Sequence, residues 1–340
     1  MLKQTVKKII PPELLDRYKK KKKVFSFKKG LKKSYEYDYT KYVLHSNSIG
    51  NGTADKLIGD IIKEYHVIEK GLTMPDTRLG FGQPKLINLI NNCIKYINLY
   101  GNADEQVAHA IQVILEYEDF HRKENYILLA ETIQALSKIK ESAQGMNACS
   151  QREVSKAAYF SHIEDPFPEF SESRSSIRNY SQEEVPIKEI EDVLILAKNT
   201  PSACNRQTWR TYVYTNKNRI NKILEVQGGN RGFGHLANKL IVITSELGVF
   251  SNTAERYQAY VDGGMYAMNL LYSLHSHKIA ACILNCSNPR DKDIKMREVC
   301  NIKDSEVFIA MITCGYPPEE FKIAISKRYT IEKTHQTIND

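Results

Sequence analysis

From Ser171 onward, short apolar runs of strand character alternate with stretches of helical spacing. This alternation limits the second half of the chain to a sheet with helices packed on its faces. Helices are predicted over 187–198, 217–226, 254–277 and 290–299. Strands are predicted over 210–215 (RTYVYT), 239–245 (KLIVITS), 279–284 and 306–314 (EVFIAMITC). The long helix places Tyr260, Gly264, Met268 and Leu271 on one face, and Gly263-Gly264 would let another backbone approach closely. That suits a central helix or a dimer interface.

The first half reads differently. Leu57, Ile58, Ile61, Ile62, Tyr65 and Ile68 recur at spacings of three and four, giving one apolar stripe of a helix that ends at Gly71. A loop with two prolines and two further glycines follows, then helical stretches over 85–99, 103–120 and 124–142. The expected organisation is a basic, partly disordered leader over 1–50, a small all-α domain over 51–160 and a second domain over 165–335. A linker falls around Asp165-Pro166-Phe167-Pro168.

Charge is concentrated at one end. The chain is net +8, yet residues 1–33 alone hold 13 Lys or Arg against Glu13 and Asp16, so the remainder is mildly acidic. The run Lys19–Lys23 repels itself and cannot form a packed face; it could meet an anionic membrane surface. No nucleic-acid-binding motif accompanies it. Seven cysteines, an odd number thinly spread, argue against a disulfide framework and for a reducing compartment. Cys282 and Cys286 read as buried structural thiols, and no metal site is expected. With no secretory h-region and no apolar stretch long enough to span a bilayer, the reading is cytoplasmic, with peripheral membrane contact open to the basic leader.

Two segments gather chemistry. Ser173-Arg174-Ser175-Ser176-Ile177-Arg178-Asn179-Tyr180, read as a helix, puts two arginines at i and i+4 on one face with hydroxyls between them, suited to one phosphate. Thr200 to Arg210 packs Pro201, Ser202, Ala203, Asn205, Arg206, Gln207 and the only tryptophan, Trp209, into a turn between helix and strand. In the first half, His66 and Glu69 stand one turn apart, and a structural hydrogen bond is expected there. His109 and His121 are expected at the surface.

Together the two segments resemble the nitroreductase family. Arg174, Ser176, Arg178 and Tyr180 match its opening R-x-S-x-R-x-F/Y pattern, and Pro201, Ser202, Asn205, Gln207 and Trp209 match P-S-x-x-N-x-Q-P-W. Asp262-Gly263-Gly264 resembles the family's central helix, and Cys314-Gly315-Tyr316-Pro317 followed by Lys327-Arg328 resembles its G-Y-P turn and closing basic pair. The resemblance spans about 171–330. It implies an α+β, three-layer sandwich, a mainly antiparallel sheet flanked by helices, preceded here by the small all-α domain. It further implies an FMN-dependent oxidoreductase using NADH or NADPH by alternating hydride transfer to a small organic acceptor. Arg174, Ser175, Ser176, Arg178, Lys327 and Arg328 would hold the phosphate, and a backbone N–H near Leu284 and Asn285 would face flavin N5. Pro201, Ser202, Ala203, Asn205 and Gln207 would bind the flavin, with Asn205, Ser202 and Arg206 coming from the partner subunit across a homodimer interface. No side chain is assigned as an obligate acid or base. The alternatives are a flavin-dependent dehydrogenase or oxidase of biosynthesis, and a non-catalytic flavin-fold scaffold that binds a partner or membrane.

Three departures stand out. Thr208 replaces the pattern's proline, and Lys278-Ile279-Ala280-Ala281 stands where the family often has G-L-G-S/T, so added Cβ atoms could crowd the flavin. Only Glu246 to about Thr253 is available where the family usually has a lid, and the helical domain is the expected substitute cover.

Overall fold

The computed structural model describes residues 11–46, 53–101 and 104–338. The expected leader segments 1–10 and 47–50 lie outside them.

Helix α1 (Pro12–His45) spans most of the segment expected as a basic leader. Charged and apolar residues alternate around it without a stripe, and none of its residues is buried. The lysine run is accordingly solvated, as its self-repulsion requires. What ties the helix down is Asp38, which accepts from Arg256 Nε (2.7 Å) and Nη2 (2.9 Å) and from the Tyr257 hydroxyl (3.0 Å). Thus α1 crosses the short connector that stands in the place of a lid.

The helical layer comprises α2 (Ala54–Leu72), α3 (Gln83–Tyr100), α4 (Glu105–Lys123) and α5 (Ala130–Ile139). Thr53 caps α2 by accepting from the Lys56 N–H, and Asp104 caps α4 from the Gln106 N–H. The predicted stripe of α2 does enter the core: Leu57, Ile58, Ile61, Tyr65 and Ile68 pack with Leu86, Ile90, Ile111, Ile114 and Tyr117. His109 and His121 are buried here, against expectation. His121 Nε2 accepts from the Gly80 N–H (2.9 Å) and so fixes the glycine-containing loop, while His109 pairs with Glu69. Their hydrogen-bond partners are what make burial tolerable.

The second half is a four-stranded antiparallel sheet in the order β2-β3-β5-β4. Its strands are β2 (Trp209–Tyr214), β3 (Lys239–Glu246), β4 (Ala280–Asn285) and β5 (Glu306–Gly315). Side chains alternate across it with period two. Ile241, Ile243, Ile312 and Ala281 face α6 (Ile187–Ala197) and α8 (Gln258–Ser276). Leu240, Val242, Met311 and Cys282 face α7 (Lys217–Gln227) and α9 (Arg290–Cys300). Helix, sheet and helix make three layers, and the fold is α+β.

Two strands were not anticipated. β1 (Gln151–Ser155) pairs antiparallel with β6 (Glu320–Ala324), Val154 opposite Phe321. Residues 151–155, read as part of the helical domain, therefore belong by backbone pairing to the far end of the chain. The C-terminal tail returns the exchange: Tyr329 packs on the helical core, and the Thr330 N–H donates to Glu105 Oε1 (2.8 Å).

Candidate functional site

Arg174–Tyr180 is extended, not helical. The preceding short helix stops at Ser173, and Arg174 has φ −69° and ψ 123°. Tertiary pairing overrides local spacing here. The Ile177 N–H donates to Ala281 O on β4 (3.0 Å), and Ile177 and Tyr180 are buried, the Tyr180 hydroxyl donating into the Ile177 and Thr313 carbonyls. Four is an even interval, so Arg174 and Arg178 still share one side of an extended chain. Both act on the Cys282 thiol: burial pushes its pKa up, and Arg178, Lys70 and Arg174 pull against it.

These cations have little to bind within the protein. Arg178 is 9% exposed, the buried Arg174 Nε has no hydrogen-bond partner, and neither arginine forms a salt bridge among the described residues. The Ser175 and Ser176 hydroxyls are likewise uncommitted there. Ser175 is held by its backbone alone, its N–H and C=O both bonded to the Tyr159 hydroxyl (3.1 and 2.9 Å). Beside Arg174 lies His275, whose Nε2 meets Ser173 Oγ (2.7 Å) and whose Nδ1 is buried without a partner. Burial, with the Arg174 charge adding to it, pushes the His275 pKa down to about 4, so the ring is neutral at pH 7.

A second group stands on the loop before β2. Cys204, Asn205 and Gln207 all hold positive φ (53°, 54° and 47°), a conformation costing roughly 1 kcal/mol or more per non-glycine residue. Specific bonds maintain it. Asp262, buried on α8, accepts from the Ala203 N–H (3.2 Å) and from Gln258 Nε2 (2.7 Å). Ser202 Oγ accepts from the Gln207 N–H (2.9 Å), and Gln207 Nε2 donates to Asn205 Oδ1 (3.1 Å). Trp209 stacks on Tyr266 at 4.8 Å. Pro201, Asn205 and Gln207 are exposed, whereas Arg206 is committed to Glu255 (2.6 Å). Thr208 is no defect in the pattern: it is fully buried, and its hydroxyl meets Ser245 Oγ at 2.6 Å, a bond proline could not make.

The remaining expected residues separate. Leu284 is buried in the core, and Asn285 ends β4 at the surface, its Oδ1 accepting from the Ser287 N–H (2.9 Å). A cavity of 430 Å³ opens at this strand end between Asn285, Tyr260, Arg290 and Arg297. A larger one, 690 Å³, lies elsewhere, where Thr73 and Met74 of the helical half meet Asn179, Glu153 and Lys322. Lys327 and Arg328 are exposed on the tail that crosses the helical layer, Arg328 Nη1 donating to Ser326 O (2.7 Å). They form no hydrogen bond with the Arg174–Arg178 segment. The residue that does approach Arg178 is Lys70 of α2, which sequence reading passed over in favour of its neighbours His66 and Glu69; nothing in the local pattern marks it.

Ala280 and Ala281 sit in the two cores, one on each face of the sheet, so their methyl groups fill packed space. Lys278 holds φ 59° where the family pattern often has glycine, which accounts for the glycine preference there.

With this geometry in view, residues 172–229 and 225–316 match the model of the nitroreductase family. The family-model match thus lies in the C-terminal half of the chain. Proteins of Archaeoglobus fulgidus and Methanothermobacter thermautotrophicus, both named "Putative NADH dehydrogenase/NAD(P)H nitroreductase", are 28% and 26% identical over 153 and 149 residues. The alignments cover 44% and 43% of this chain and 83% and 75% of theirs. Among solved structures, an FMN-dependent nitroreductase of Clostridium difficile aligns with 22% identity and a TM-score of 0.43, over 50% of this chain and 98% of that one.

Proposed function

We propose that this nitroreductase-family oxidoreductase binds FMN beside β4 and uses it with NADH or NADPH to reduce a small organic acceptor of nitro or quinone type. The observation that carries the reading is the under-committed cation pair on one extended segment: Arg174 with an orphaned buried Nε, and Arg178 buried beside the Cys282 thiol with no carboxylate paired to it. Unpaired buried cations are costly, and a phosphate dianion resolves that cost with charge-assisted hydrogen bonds. FMN, when bound, supplies hydride transfer in alternating turns with the two substrates. The chain itself supplies placement and charge: Arg174, Ser175, Ser176 and Arg178 orient the phosphate, and the backbone near Leu284 and Asn285 offers N–H groups toward the ring.

The loop Pro201–Gln207 is part of the same reading as a partner subunit's contribution. It is strained, exposed and held out by Asp262, and no hydrogen bond joins it to Arg174 or Arg178 among the described residues. Val261, Met265 and Met268 on α8, with Ile195 and Leu196 on α6, leave apolar surface for a second copy. The division into a helical domain (51–160) and a flavin domain (165–335) belongs to the proposal, as does a cytoplasmic setting. Among the described residues no helix is long and apolar enough to cross a membrane.

The test is a visible spectrum of the purified protein before and after addition of FMN, followed by NADH and NADPH titration under nitrogen. A flavin band that bleaches with either nucleotide is expected. Absence of FMN binding would overturn the reading; a bound flavin that neither nucleotide bleaches would redirect it to a dehydrogenase or oxidase.

A further inference from the structure

The helical half reaches the C-terminal half just past the end of α2. Met74, just beyond the end of α2, belongs to the same buried core as Ile177, Tyr180, Cys282 and Phe321, a core built otherwise from Tyr159 onward. Thr73 and Met74 wall the same cavity as Asn179, the chain neighbour of Arg178, and Lys70 stands half-buried in the last turn of α2 just before them. There its charge acts on Arg178 and on the Cys282 thiol, and burial together with Arg178 pushes the Lys70 ammonium below the usual lysine range.

No carboxylate answers these charges. Lys70, Arg174 and Arg178 form no salt bridge among the described residues. Glu69, adjacent in sequence, is turned away: its Oε1 takes His109 Nε2 (3.1 Å) and the Ser326 N–H (2.8 Å). Three cations from two distant parts of the chain thus lie around the Cys282 thiol, and Ser176 shares the side of the extended segment that carries the two arginines. Such a set favours a dianion and disfavours a neutral or cationic ligand.

We infer that Lys70 is the third cation of the phosphate subsite, supplied by the helical half in the role the family resemblance gave to Lys327-Arg328. The inference rests on the FMN reading above. By it, the helical layer is a working part of the cofactor site, coupled to the cofactor through one side chain.

The experiment compares full-length wild type, Lys70→Met, Lys70→Gln and Lys70→Arg, stripped of flavin and titrated with FMN and with riboflavin by flavin fluorescence. Riboflavin lacks the phosphate, so it reports packing without the charge. The Met and Gln variants are expected to bind FMN about tenfold or more weakly, to bind riboflavin as wild type does, and to melt no lower than wild type when flavin-free. The Arg variant is expected to recover most FMN affinity, and FMN binding by wild type should weaken with salt more steeply than binding by Lys70→Met. Unchanged FMN affinity in Lys70→Met, or equal loss of FMN and riboflavin, overturns the assignment while leaving the FMN reading intact. A wild type that binds neither flavin overturns both.

Discussion

His275 shows how a single buried group can write itself into the stability of the whole chain. Its ring lies among Tyr159, Phe160 and Phe170 with Arg174 beside it, and its pKa is pushed down to about 4. The unfolded ring takes up a proton near 6.5, so the stability this site holds is complete above about pH 6.5. It declines as pH falls toward 4, by up to about 3 kcal/mol. Urea unfolding at intervals between pH 7 and 4 should show this slope, and His275→Gln should flatten it. Glu69 acts in a lower window. Burial alone would raise its pKa, but His109, His66 and the Ser326 N–H outweigh burial and hold the carboxyl below the usual range. Its contribution is therefore present above about pH 4.5 and lost as pH falls below that. Glu69→Gln should remove the low-pH limb of the same profile. At the proposed phosphate, Arg178→Met should weaken FMN binding about 10- to 100-fold, read by fluorescence titration, since a bond to a charged group is worth about 1.5–3 kcal/mol. The residue pattern R-x-S-x-R was legible in the sequence because it is local. Lys70 was not, because its relevance depends on where α2 docks.

At the scale of elements, α8 offers a paired test. A Cβ at Gly263 would stand 2.6 Å from Ile309 Cγ1 on β5, whereas one at Gly264 would meet nothing within 4 Å. Gly263→Ala should therefore cost about 1–3 kcal/mol through overpacking. Gly264→Ala should gain up to about 1 kcal/mol from helix propensity in the single chain. Calorimetry of the two variants checks the asymmetry. The tether of α1 makes a second case: Asp38→Ala removes the partner of Arg256 and Tyr257, and α1 should then be cut by protease faster while the sheet resists as before. The long elements were readable because their apolar period is strong, as in α2 and in β3, whose residues 239–245 are all buried. The pairing of β1 with β6 was not readable. QREVS carries one apolar residue, and its partner lies more than 160 residues away, so only the closed fold makes it a strand. Arg174–Tyr180 failed for the complementary reason: i, i+4 spacing fits helix and extended chain alike, and the bond from Ile177 to Ala281 decides between them.

For the whole molecule, the exposed apolar residues of α6 and α8 and the outward loop Pro201–Gln207 belong to one expectation, a homodimer. Light scattering on the eluting protein should give twice 39.0 kDa, and Gly264→Arg, placed on the open face of α8, should shift it toward the monomer. FMN should raise the melting temperature of the flavin-free protein, since a ligand present at a hundred times its Kd adds about 2.7 kcal/mol to the folded state. The sequence by itself determined the class of this protein: helix–strand alternation and two local motifs suffice for an α+β nitroreductase-like half, because backbone period and short-range chemistry are properties of neighbours. Only the tertiary structure decided how the halves serve each other. That Lys70 of the helical layer comes within electrostatic reach of Arg178, that the closing basic pair lies on the helical layer's surface, and that α1 is tied to Arg256 and Tyr257 all follow from long-range docking. Such contacts depend on which surfaces exclude water together, and no window of sequence contains both partners.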